Sequence, residues 1–186
     1  MLQTLARLFG IQKQEAKILV LGLDNSGKST LINRFKARNL QKSIITPTIG
    51  FGVEKCETKG LSLICFDMSG QGRYRNLWEH YYDDCTAVIF VIDSSDNIRL
   101  VVAQDELNEL LINPKIVQRR IPILFFANKM DVHGALNAGE IANVLTLDKI
   151  RDKPWNICAS NALTGEGVET GLLWLTNQVK TLLNSK

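Results

Sequence analysis

An α/β domain with a six-stranded, mainly parallel sheet and helices on both faces is the fold this sequence predicts. Three observations carry it. Short apolar runs alternate with stretches patterned at helical spacing, and strands separated by helices return through crossovers that lay the next strand parallel to the last. Two runs, Ala87-Val88-Ile89-Phe90-Val91-Ile92 and Ile121-Pro122-Ile123-Leu124-Phe125-Phe126-Ala127, are almost uninterrupted, as strands buried on both sides must be. A third, Ile18-Leu19-Val20-Leu21, runs straight into Gly22-Leu23-Asp24-Asn25-Ser26-Gly27-Lys28-Ser29, a complete G-x-x-x-x-G-K-[ST] phosphate loop, which requires a strand before it and a helix after it.

Each element follows in turn. At 100° per residue, Met1, Leu2, Leu5, Ala6, Leu8 and Phe9 share one helical face and Gln3, Thr4, Arg7 and Gly10 the other. Residues 1 to 16 therefore read as an amphipathic helix and its connection, ahead of a domain spanning 17 to 186. Lys17 to Leu21 forms the first strand, and Thr30 to Arg38 carries the helix that leaves the loop. Phe51 to Thr58 and Leu61 to Asp67 flank the turn Lys59-Gly60 as a hairpin. Beyond it strands and helices alternate: Ala87 to Asp93, then the helix Ile98 to Ile112, Ile121 to Asn128, the helix Ala138 to Leu145, Trp155 to Ala159, and the helix Val168 to Leu183.

Composition narrows the partners. The 22 basic and 19 acidic residues are dispersed, without the dense basic cluster of a nucleic-acid footprint. Cys56, Cys65, Cys85 and Cys158 stand far apart with no C-x-x-C, which suits free thiols in a reducing compartment. No apolar run approaches the ~18 residues of a membrane span, and no secretory signal opens the chain. A monomeric cytoplasmic protein is the expectation.

Ligands of such sheets bind beyond the carboxyl ends of the strands, where the phosphate loop lies and where Asp67, Asp93 and Asn128 end their strands. Gly22, Asp24, Asn25, Ser26 and Gly27 shape the cradle, Lys28 neutralises β- and γ-phosphate charge, and Ser29 offers a hydroxyl to Mg²⁺, with Thr30 beside it at the start of the helix. Asp67 can hold the metal's hydration shell, Gly70 lets a backbone N–H approach the γ-phosphate, and Gln71 can orient an attacking water. Thr48, in the polar connection ahead of the hairpin, can fold over the nucleotide and give its hydroxyl to Mg²⁺.

Asn128-Lys129-Met130-Asp131 points to guanine. Guanine presents an N1–H beside an exocyclic amine, and the Asp131 carboxylate can accept from both, whereas adenine offers an acceptor there and no amine. Asn128 would fix the loop and the far edge of the base, the Lys129 stem would cover its face, and Cys158-Ala159-Ser160 would close the pocket through backbone N–H groups.

Together these residues resemble a small GTPase along essentially the whole chain, and details resemble the Arf family: Asp24 where Ras-type loops carry Gly, Pro47-Thr48-Ile49-Gly50-Phe51 in the first switch, and Asn76-Leu77-Trp78 with Tyr81-Tyr82 in the second. Within that family, the run from Asp67 to Tyr82, Arg119 to Phe126 and Asp152-Lys153-Pro154-Trp155 are similar to the members linked to Bardet-Biedl syndrome. The resemblance implies the P-loop small GTPase fold and a GTP/GDP switch that hydrolyses GTP slowly with Mg²⁺. An exchange factor and an activating protein would act on it, the latter supplying the arginine finger. It also implies a membrane-bound GTP form that recruits the BBSome-type coat complex for ciliary trafficking, with the Arg73-to-Tyr82 stretch as effector surface. Two departures stand out: Ser69 replaces a usual Gly, and residue 2 is Leu, not the Gly of N-myristoylation, which leaves the N-terminal helix as the membrane contact. The rival readings are a P-loop ATPase or kinase, disfavoured by Asn128 to Asp131, and a GTP-binding module without hydrolysis, disfavoured by Gln71.

Overall fold

A computed structural model describes residues 13 to 58 and 60 to 185. The amphipathic pattern of residues 1 to 11 and the turn residue Lys59 lie outside the described residues. Six strands form one sheet: β1 (Gln14–Leu21), β2 (Phe51–Thr58), β3 (Leu61–Met68), β4 (Ala87–Asp93), β5 (Ile123–Asn128) and β6 (Trp155–Ser160), in the order β2-β3-β1-β4-β5-β6. The hairpin β2–β3 is antiparallel and every other pairing is parallel. The helices are α1 (Lys28–Phe35), α2 (Leu100–Ile112), the single turn α3 (Pro114–Val117), α4 (Ala138–Val144) and α5 (Val168–Asn184).

Because successive side chains of a strand point to opposite faces, each apolar run divides between two cores. Leu19, Leu21, Val88, Phe90, Ile123 and Phe125 meet α2, α4 and the segment after β3. Ile18, Val20, Ile89, Val91, Leu124 and Phe126 meet α1 and α5. Uninterrupted apolarity in β4 and β5 thus reflects two interfaces, as anticipated.

Element ends moved for local reasons. β1 begins at Gln14 because Gln14, Glu15 and Ala16 pair with Leu61, Ser62 and Leu63, a ladder that the exposed polar side chains of Gln14 and Glu15 concealed. β5 begins at Ile123, since Pro122 has no N–H to give the ladder and contributes its carbonyl to Val88 instead, at 3.0 Å. α1 stops at Phe35, where Lys36 turns extended. There the Asn33 amide clasps the Lys42 backbone, donating to its carbonyl at 2.9 Å and accepting its N–H at 2.8 Å. The segment Gly72–Tyr81 is a ten-residue 3₁₀ helix. Such length is unusual for that geometry, and Trp78 pins it by burying its ring and donating Nε1–H to the Ser69 carbonyl at 3.0 Å. Among the described residues no helix is long and apolar enough to cross a membrane.

Candidate functional site

The carboxyl ends of β1, β3, β4, β5 and β6 carry the candidate residues to one side of the sheet. Directly after β1 the chain doubles back through Gly22, at φ 133°, where a Cβ would stand 2.2 Å from the Val91 carbonyl oxygen. Only glycine fits there. The turn aims Lys28 back under the loop, where its buried ammonium donates to the carbonyls of Gly22 at 2.9 Å and Leu23 at 2.7 Å. Burial lowers the Lys28 pKa to about 8, against the opposing pull of Asp67 and Asp24. A cavity of about 300 Å³ opens above it, lined by Asp24, Asn25, Gly27, Lys28, Ser29, Thr30, residues 45 to 48, Ser69, Gly70 and Gln71. Segments far apart in sequence thus meet around one space sized for a polyphosphate. Gly22 and Ser26 lie beneath this wall rather than in it, both buried.

At one side of the cavity three oxygens converge. Ser29 Oγ lies 2.9 Å from Thr48 Oγ1, Asp67 Oδ2 accepts from Ser29 at 2.5 Å and from Thr48 at 3.0 Å, and Asp67 Oδ1 is buried without a partner among the described residues. Burial raises the Asp67 pKa, with the two hydroxyls and Lys28 opposing. Hydroxyl and carboxylate oxygens are hard donors of the kind Mg²⁺ takes, and these three would hold it. The orphaned carboxylate oxygen gains most from a cation placed there. Hydroxyls with one carboxylate suit Mg²⁺ held partly by phosphate, and among the described residues no group of three or more His, Cys, Asp or Glu gathers as an alternative metal cluster.

Gly70 presses on the loop itself: a Cβ there would stand 2.2 Å from the Asp24 nitrogen. Gln71 lines the same cavity, but its amide oxygen already accepts from Arg73, Nε at 3.1 Å and Nη2 at 2.9 Å. The expectation that this oxygen faces water is thus qualified by a guanidinium two residues on, itself lying over the Tyr74 ring at 5.0 Å.

The residues expected to read the base form a second group, joined to the first through Asn128. Its buried amide donates to the Ser26 carbonyl at 2.8 Å and accepts from Ala162 N–H at 3.0 Å and Ser160 Oγ at 3.3 Å, tying three loops together. Lys129 adopts φ 62° and pairs its ammonium with Asp93 at 2.6 Å, so its stem is held from the end of β4. Asp131 is exposed, and its carboxylate is uncommitted among the described residues. Ser160 is fully buried and its carbonyl accepts from Met130 N–H at 3.2 Å, while the Cys158 thiol belongs to the core against α5, leaving only backbone of Cys158 and Ala159 for a ligand.

Three contributors received no site contact from the sequence reading, which noted Asp93 only as ending its strand and Arg75 only within the effector stretch. Asp93 anchors Lys129 and also accepts from Ser95, contacts that outweigh burial and hold its carboxyl below the usual range. Its signal was a polar residue ending an apolar strand. The contacts of Arg75 and Arg99 with Asp24 carried no signal, because only the fold brings them together, 3.9 Å and 3.1 Å apart.

The profile of the Arf, or ADP-ribosylation factor, family matches residues 1–179. The chain belongs to the ADP-ribosylation factor family. It is 56% identical over 178 residues to ADP-ribosylation factor-like protein 6 of Danio rerio, covering 96% of each chain. To the Caenorhabditis elegans protein of the same description it is 40% identical over 183 residues, 98% of this chain and 96% of the relative. Among solved structures it is similar to the Arl6 BBS3 small GTPase from Trypanosoma brucei with the bound nucleotide analogue GppNp. That match has a TM-score of 0.84 and 41% identity over 90% of this chain and 99% of that one. As an Arf-family small GTPase the chain binds GTP and GDP and hydrolyses GTP, and the sheet and helices described above are the P-loop fold of that family.

Proposed function

We propose that the 300 Å³ cavity holds the phosphates of GTP with Mg²⁺, that Asn128 to Asp131 and Cys158 to Ser160 hold the guanine, and that the GTP form recruits a BBSome-type coat to ciliary membranes. The convergence of Ser29, Thr48 and Asp67 oxygens within 3.0 Å carries the reading, because it joins the phosphate loop to both switch segments at one cation-sized point. When bound there, Mg²⁺ supplies charge for the phosphate oxygens. Lys28 holds the terminal phosphates, the Gly70 N–H approaches the γ-phosphate, and Gln71 aligns a water for attack in line with the leaving diphosphate. Hydrolysis on its own is slow, and an arginine supplied by an activating protein is worth about 10³–10⁵ in rate. An exchange factor reloads GTP.

Thr48 connects chemistry to recruitment. A segment that gives a hydroxyl to the cation site is ordered by triphosphate and released after hydrolysis, which exposes different surfaces in the two states. Membrane attachment falls to the N-terminal residues, whose apolar face binds lipid reversibly in the manner of a single amphipathic helix. The coat is the one implied by the resemblance to Arf members linked to Bardet-Biedl syndrome, and the similar solved structure carries Arl6 and BBS3 in its description.

Liposome sedimentation with purified coat tests the whole. GTP-loaded protein should pellet more coat than GDP-loaded protein, and deletion of residues 1 to 11 should abolish pelleting while nucleotide affinity stays unchanged. Equal pelleting in the two nucleotide states would remove the recruitment reading.

A further inference from the structure

Asp24 lines the phosphate cavity with Lys28, its backbone nitrogen against Gly70 and its carboxylate half-exposed, where a triphosphate would bring more negative charge. Two guanidinium groups answer it. Arg99 gives Nε and Nη2 to Asp96, each at 2.6 Å, and has Nη1 left for Asp24 Oδ1 at 3.1 Å. Arg75 gives Nε to the Gly70 carbonyl at 2.8 Å and Nη1 to Glu106 at 2.8 Å, and has Nη2 left, 3.9 Å from the same Asp24 oxygen. Each guanidinium is thus fastened by one acidic residue of its own and turns its remaining arm on Asp24. A fork so held loses little entropy in gripping a carboxylate. The chain Asp96, Arg99, Asp24, Arg75, Glu106 links the segment before α2, the phosphate loop, the second switch and α2 itself.

We propose that Arg99 is a positioning residue that holds the Asp24 carboxylate away from the terminal phosphate, with Arg75 seconding it from the switch, so that an acid in the cradle does not count against triphosphate over diphosphate. The inference rests on the reading that the terminal phosphate lies between Lys28 and Gly70. A carboxylate released from its cations swings within the cavity and repels the doubly charged γ-phosphate, and it does so without touching the two phosphates that GDP shares. Because Arg75 also holds the Gly70 carbonyl, the grip on Asp24 is shared with the strand end that must meet the γ-phosphate.

The test is a double-mutant cycle on the full-length protein, read as the ratio of dissociation constants for GDP and a non-hydrolysable GTP analogue with Mg²⁺. Arg99→Ala should weaken the analogue roughly tenfold and GDP by less than about twofold. In the Asp24→Asn background the same change should alter neither by more than about twofold, since no charge remains to hold. Arg99→Gln, which keeps most of the side-chain volume, should behave as Arg99→Ala if the latter folds poorly. Asp24→Asn alone should leave the ratio unchanged within about twofold, because the held carboxylate does not count against the third phosphate, and a larger shift in either direction overturns the proposal. So does an equal loss of both nucleotides in the Arg99 variants, or a loss that persists without Asp24. Wild-type protein that bound neither nucleotide at this cavity would overturn the site reading instead.

Discussion

Asn128 reaches across 102 positions of sequence to donate its side-chain amide to the Ser26 carbonyl at 2.8 Å, and with its oxygen it takes the Ala162 N–H at 3.0 Å. One buried amide therefore sets the spacing between the phosphate loop and the loops proposed to meet the base. Asn128→Ala leaves a buried carbonyl and a buried N–H without partners, at about 1–3 kcal/mol each. We expect a loss of about 2–4 kcal/mol, which for a domain of this size lowers Tm by roughly 4–16 °C. Calorimetry without nucleotide checks it, and a drop under about 2 °C would mean the loops hold their spacing by other means.

Asp131 is the opposite case, exposed and uncommitted among the described residues. Asp131→Asn should change stability by no more than about 0.5 kcal/mol yet move base preference from guanine to xanthine, because an amide can donate to the carbonyl xanthine has in place of the amine. Competition between GTP and XTP measures this directly. Retained guanine preference would take Asp131 out of base recognition.

Gln71 and Arg73 make a pair of opposed expectations. Gln71→Leu should keep GTP affinity and lose the activator-stimulated step, since the water loses its aligning amide. Arg73→Ala frees the Gln71 amide oxygen from two hydrogen bonds. Both side chains are partly or fully exposed, so the restraint is weak and the intrinsic rate should rise only about two- to fivefold. Single-turnover hydrolysis of the two variants, with and without activating protein, decides between them.

Lys28 gives nucleotide binding a pH dependence. Its pKa in the folded chain is about 8, below the ordinary 10.5, so at pH 8.5 the amine is largely neutral. Phosphates placed against it favour the charged form and raise that pKa. Binding must then take up most of a proton at pH 8.5 and little at pH 7, and affinity for GTP falls as pH rises through 8. Titration calorimetry in buffers of differing ionisation enthalpy reads the uptake. Binding heats independent of buffer at pH 8.5 would show that Lys28 stays charged without nucleotide.

Much of the fold was legible because its signals are local. Alternation of apolar runs with helical spacing marked all six strands and the four longer helices, and the unbroken runs of β4 and β5 announced a sheet covered on both faces. Boundaries were less legible where backbone pairing outruns side-chain pattern, as at Gln14, or where a distant group ends an element, as Asn33 and Lys42 do at α1. The 3₁₀ segment from Gly72 to Tyr81 left no periodic trace, since Trp78 is its only fully buried side chain.

The sequence by itself determined that this chain has a phosphate loop on a parallel sheet, and it singled out Asn128 to Asp131 as the proposed base reader and Thr48, Asp67 and Gln71 as the proposed switch residues, since these depend on residue types at short spacings. Only the tertiary structure decided what surrounds them. It brought Ser29, Thr48 and Asp67 oxygens within 3.0 Å, gave Asp93 to Lys129, Arg73 to Gln71, and both Arg75 and Arg99 to Asp24. The physical reason is range: backbone conformation and amphipathic period are set within a few residues, whereas a charge or an amide is answered by whatever the fold places beside it.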